Sequence, residues 1–218
     1  MTDNTVLSPN SAIDSSIKQM LPSFSDTSQR RIRKAILDAK RAAEKHRDEN
    51  TDAEARHAFR ELIPAYVLNQ KGFTLEYHQP IHRKTPDWLD SGSRLMVESY
   101  TYERGGRLAF AERVSSVAAE KCLKYKDILV ANHLRFILTV YIDFESGADL
   151  EDCLEASETF RSLLGDLGSL FAIVFFSETY FIGRTQKYRF ISHHRASLVA
   201  DLPNWPFPPD GLDIAVGT

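Results

Sequence analysis

The sequence predicts an α/β domain built on a mixed sheet, and three observations carry that expectation. A helix-period stripe, Ala55, Ala58, Phe59, Leu62, Ile63, Tyr66 and Val67, ends at Lys71-Gly72 and leads into an alternating strand-type segment, Phe73 to His78. Two more strand-like runs follow, Lys84 to Leu89 and Leu95 to Tyr100, separated by the turn residues Asp90-Ser91-Gly92-Ser93. A long helical pattern from about Leu108 to Val130 then runs into the β-rich stretch Arg135 to Phe144, which signals a crossover and some parallel pairing.

The remaining elements fall around this core. Residues 1–25, rich in Ser, Thr, Asn, Asp and Pro, read as a mobile arm or a surface-docked segment without chemistry. Asp26 or Thr27 caps an additional N-terminal helix reaching about Asn50. That helix crowds Arg30, Arg31, Arg33 and Lys34 early; such a charge run is ordinarily a solvated face, and the alternative is a surface that contacts phosphates. Pro64 implies a kink or a division in the second helix, Asp52 to Gln70. Leu150 to Leu164 is amphipathic and helical, Leu170 to Phe176 a buried strand and Tyr188 to Ser192 a short one. The tail from Asp201, with Pro203, Pro206, Pro208 and Pro209, is expected to be irregular. One domain over residues 26–200, with its core at 52–143, is the resulting organisation.

Composition narrows the function classes. The 218 residues, 43% of them hydrophobic, suffice for one sizeable core. A formal net charge of −3 gives no global footprint of a nucleic-acid binder, so any polyanion site must be local. Two cysteines, Cys122 and Cys153, exclude a disulfide framework and a thiolate zinc site. With no leader-like segment and no long apolar run, a cytoplasmic protein without a membrane partner is expected. No Gly-x-Ser-x-Gly elbow, P-loop or His-x-x-x-His pair appears, and the scattered histidines read as surface or polar packing residues.

The chemistry concentrates in Asp87 and Glu98, which have ten residues between them. Two carboxylates meeting at one end of a hairpin can hold a hard divalent cation. Strand alternation places Arg94, Met96, Glu98 and Tyr100 on one face and Leu95, Val97, Ser99 and Thr101 on the other. An acid among half-buried neighbours needs a partner.

The order helix, strand, strand with Pro86-Asp87, strand with Glu98, helix, strand resembles the PD-(D/E)XK, or restriction-endonuclease-like, superfamily over about residues 52–143. The resemblance implies a three-layer core with a mixed central sheet flanked by helices. It implies a Mg2+ or Mn2+ site formed by Asp87 and Glu98, completed by Glu61 from the first core helix, and hydrolysis of DNA phosphodiester bonds. It also admits a homodimer. Tyr100 stands where the family motif has its lysine, and a phenol cannot replace an ammonium at neutral pH. Lys121, one helical turn before Tyr125, or Lys124 can return that cation from the following helix, whereas Lys84 lies at an odd offset from Asp87. Arg104, Arg107 and Lys126 are further phosphate contacts near the site, and Trp88 and Tyr102 either stack on bases or belong to the core. The alternative reading is a catalytically inactive nuclease-fold module for nucleic-acid binding or protein interaction.

Overall fold

The chain, seen in a computed structural model that describes residues 11–46, 51–182 and 185–216, places a mixed sheet between helices on both faces. Its elements run α1 (Ser11–Met20), α2 (Asp26–His46), α3 (Thr51–Gln70), β1 (Glu76–Tyr77), β2 (Trp88–Asp90), β3 (Leu95–Tyr102), α4 (Gly106–Ala131) and β4 (Arg135–Ile142). They continue with α5 (Leu150–Glu155), α6 (Ser157–Asp166), β5 (Leu170–Ile182), β6 (Thr185–His194), α7 (Ala196–Asp201) and β7 (Leu212–Val216). Among the described residues the sheet has seven strands, side by side in chain order. The crossovers through α4 and through α5–α6 make β3, β4 and β5 parallel; the pairs on either side are antiparallel.

Alternation along the strands explains the two layers. Leu95 and Val97 of β3, with Ile137 and Tyr141 of β4, join the apolar cluster under α1, α2 and α3. Met96, Phe136, Leu138, Val140 and Ile142 join the opposite cluster with Phe110, Val114, Tyr125 and Phe160 of α4 and α6. Strand β5 runs on to Ile182, past Phe176 where its pairing with β4 ends, and β6 and β7 accompany this overhang.

Four expectations are corrected or refined. The expected arm contains α1, and Ile17, Met20, Leu21 and Phe24 are buried in the first cluster; their i, i+3, i+4, i+7 spacing is a helical stripe masked by polar composition. Residues 1–10 lie outside those described. Pro64 divides nothing, since α3 is one helix from Thr51 to Gln70. The run 150–164 is instead two helices that meet at Ala156. The tail is not irregular throughout: its four prolines precede Leu212–Val216, an alternating segment that pairs with β6, and Phe207 is buried against Phe190 with ring centroids 5.1 Å apart. Trp88 and Tyr102 are both fully buried, which settles them as core residues.

No helix among the described residues is long and apolar enough to cross a membrane.

The entry to α4 turns on Gly105, whose φ of +142° is closed to residues with a Cβ. A Cβ there would also strike the hydroxyl of Tyr102, which donates to the Gly106 carbonyl at 2.7 Å. Gly105→Ala should therefore cost about 2 kcal/mol, the usual penalty for a strained backbone position. For a chain of this size that lowers the thermal midpoint by roughly 4–8 °C, read by circular dichroism.

Candidate metal centre

The β2–β3 ladder stops at the pair Trp88–Val97, and the next two residues in register are Asp87 and Glu98. Side chains replace the backbone ladder there. The Asp87 N–H donates to Glu98 Oε1 at 3.1 Å, and the Ser99 N–H donates to Asp87 Oδ2 at 2.7 Å. Each acid thus satisfies a strand amide that its own position leaves without a ladder partner, and the crossed pair fixes the register of the two carboxylates.

Glu98 is 1% exposed, and a charge so placed requires donors. Lys121 Nζ lies 2.6 Å from Oε2 and the Tyr125 hydroxyl donates to Oε1 at 2.7 Å, both from one face of α4. The ammonium beside Glu98 thus comes from the neighbouring helix, while Tyr100 packs against the α4-side cluster.

Glu61 comes from α3 and is also buried. Trp88, beside Asp87, pins it: the indole N–H donates to the Glu61 carbonyl at 3.1 Å, and the ring stacks on Phe24 with centroids 4.9 Å apart. The Glu61 carboxylate accepts the Tyr77 hydroxyl at 3.1 Å on Oε2 and lies 3.1 Å from His57 Nε2 on Oε1. His57 Nδ1 in turn sits 3.1 Å from Thr101 Oγ1. One residue earlier on α3, Arg60 stacks over Tyr141 at 4.0 Å and pairs with Asp143 at 2.5 Å.

His78 completes the group. One ligand atom each from Glu61, His78 and Asp87 lie within 4.8 Å of one another. From the sequence alone this histidine reads as a surface or polar packing residue. The register Tyr77–Trp88 sets it opposite Asp87, and its N–H donates to the Asp87 carbonyl at 2.9 Å. Counting the antiparallel register outward would have found it, but β1 is only two residues long and eight residues separate His78 from Asp87.

The electrostatics follow from crowding carboxylates. Burial, reinforced by Glu61 and Glu98, pushes the Asp87 carboxyl up to about 8. Burial lowers the His78 imidazole, which favours the neutral, ligating form. The hydrogen bond to Glu61 raises His57 in spite of its burial. Burial also opposes the charge on Lys121, yet Glu98, with Asp87 and Glu61 behind it, holds that ammonium above its usual value. Two carboxylates and a neutral imidazole, with excess negative charge, suit Mn2+ or Mg2+.

The other residues singled out from the sequence fall into place less evenly. Lys124 Nζ lies over the Tyr125 ring, 4.6 Å from its centroid, and is not paired with a carboxylate among the described residues. Strand alternation turns Lys84 away from Asp87, but β2 begins only at Trp88, and the Lys84 ammonium donates to the Lys124 carbonyl on α4. Arg31 donates to the Tyr77 carbonyl at 3.0 Å, beside the site. Lys34 pairs with Asp38, Arg107 with Asp152 and Glu155, Arg30 caps back to the Asp26 carbonyl, and Arg33 reaches Gln29. Arg104 and Lys126 are exposed. A cleft of about 500 Å³ between α2 and α3, lined by Ala35, Ala39, His57, Ala58 and Tyr77, opens onto Glu61.

Comparison of the chain with models of known protein families, with curated proteins and with solved structures found no match.

Asp87 binds its proton more tightly in the folded chain than in the unfolded one. It therefore favours the metal-free fold at low pH, and this contribution is lost as pH rises from about 3.8 through about 8. The thermal midpoint of the metal-free protein should fall across that window relative to Asp87→Asn, whose amide oxygen still accepts from Ser99. Parallel thermal scans of the two proteins from pH 4 to pH 8 check this; identical profiles would contradict it.

Proposed function

We propose that this protein is a divalent-metal-dependent nuclease of the PD-(D/E)XK type, hydrolysing phosphodiester bonds of nucleic acid, with DNA as the first substrate to test. The observation that supports this reading is the convergence of Glu61, His78 and Asp87 beside the Glu98–Lys121 ion pair. The element order α3, β1, β2, β3, α4, β4 supports it as well, with Glu61 on α3, Glu98 on β3 and Asp87 immediately before β2.

In this reading Glu61, His78 and Asp87 hold Mn2+ or Mg2+. Such an ion, when bound, supplies a Lewis acid and lowers the pKa of a coordinated water. The chain's own residues do the rest. Glu98 carries no ion itself but anchors Lys121 at 2.6 Å, so that its ammonium stands beside the centre to offset charge on a phosphate. Tyr77 and His57 orient the Glu61 carboxylate, and Trp88 fixes the height of α3 against β2. The departure from the expected ligand set is chemical: Lys121, Tyr125 and the Asp87 amide take three of the roughly four acceptor sites of Glu98 and leave it less to offer a metal.

Mn2+ at 100 times its dissociation constant should stabilise the fold by about 2.7 kcal/mol, a rise of roughly 5–10 °C in thermal midpoint. Asp87→Asn and His78→Ala should abolish the rise. Lys121→Met should keep it while slowing cleavage of labelled DNA by roughly 100-fold or more, the scale for losing one preorganised electrostatic group. An uncut panel of single-stranded, duplex and branched DNA and RNA, with no Mn2+ stabilisation, would instead identify an inactive nuclease-fold module.

A further inference from the structure

The chain makes a tight turn on its way from His78 to Asp87. Ile81 and Lys84 exchange both backbone hydrogen bonds, at 2.8 and 2.9 Å, around His82 and Arg83. Both central residues are left-handed, with φ of 45° and 67°. A two-residue turn of that hand is the natural place for Asn-Gly, which adopts positive φ at little cost. Histidine and arginine are strained there, and both are exposed, so burial does not offset the strain. Strain retained at an exposed turn next to a polar site points to a role for the side chains it displays.

The same turn delivers a second cation. Lys84 Nζ lies 5.9 Å from the centroid of the Tyr125 ring, and Lys124 Nζ lies 4.6 Å from the same centroid. Among the described residues no ion pair joins Arg83, Lys84 or Lys124 to a carboxylate. Two ammonium groups gathered on one ring repel each other, and among the described residues neither is neutralised by an ion pair. The far end of that ring bonds Glu98 at 2.7 Å, so the cluster adjoins the metal centre. We propose that Arg83, Lys84 and Lys124 form an anion-binding rim for the backbone phosphates of a polynucleotide strand that passes the centre. The nature of the ligand rests on the nuclease reading, but the rim acts in binding, without metal or turnover. Lys124 thereby acquires a task distinct from that of Lys121: it holds the strand and takes no part at the reacting phosphate.

The test is fluorescence anisotropy with short labelled single-stranded DNA, duplex DNA and RNA in excess EDTA, between about 50 and 200 mM salt. Replacing His82-Arg83 by Asn-Gly gives the turn its preferred residues, so H82N/R83G should melt several degrees higher than the parent yet bind more weakly. Adding K84A and K124A removes three cations in total. The slope of log affinity against log salt should then shrink by about 2 to 3, at 0.7–0.9 per phosphate contact, with a loss of at least about tenfold in affinity. The polymer that shows the steepest parental slope identifies the strand. A parent that binds none of the three polymers overturns the rim, as does a quadruple variant whose slope and affinity match the parent. The nuclease reading fails separately: a parent that binds with the expected slope but cleaves nothing in Mn2+ supports the rim and removes the enzyme, while cleavage with an unchanged slope in the variants does the reverse.

Discussion

Burial of the Glu98 carboxylate is the constraint on which the rest of the centre depends. A fully desolvated carboxylate in the middle of a strand is tolerable only when every oxygen is met, and three donors from three places meet it: the Asp87 amide, the Lys121 ammonium and the Tyr125 hydroxyl. Those bonds fix where β2 begins, how α4 is rotated about its axis and which lysine faces the sheet. Losing one donor would leave a buried charge partly bare, a penalty of several kcal/mol, and that asymmetry makes the arrangement specific.

The second element of the centre is set from both sides. Trp88 holds the backbone of α3 at Glu61 from the β2 side, while Arg60 grips Tyr141 and Asp143 over β4. Consecutive residues of one helix turn are thereby tied to β2 and β4, the strands on either side of β3. Glu61 is carried to Asp87 by a helix with little freedom to roll, which is the preorganisation that a cluster of like charges demands.

Much of this was legible in the sequence because it depends on local periodicity. The α3 stripe, the β2–β3 turn with its Asp90-Ser91-Gly92-Ser93 signal, the α4 crossover and the faces of β3 all follow from spacing of 3.6 or 2 residues. The pairing of Lys121 with Glu98 was one of two options, and only the rotation of α4 separated it from Lys124. His78 escaped because its role depends on register across a two-residue strand, too short to show alternation. The turn at His82-Arg83 escaped because its residues are the wrong ones for its backbone. Helix α1 and strand β7 escaped because polar residues and prolines dominate the composition around a few well-spaced apolar side chains.

The overhang of β5 has a consequence for how molecules of this protein meet one another. Past Phe176 the strand bonds only to β6, and among the described residues no strand covers its other side through Ser177, Glu178 and Thr179. A strand margin left unpaired in this way can take part in edge-to-edge association. Glu178 stands on it half-buried, with Oε1 out of reach of water and of any hydrogen-bond partner, and its carboxyl is raised by burial. A strand from another molecule docking there would seal that group in completely. The carboxyl, poorly solvated as it stands, therefore disfavours strand pairing along this margin.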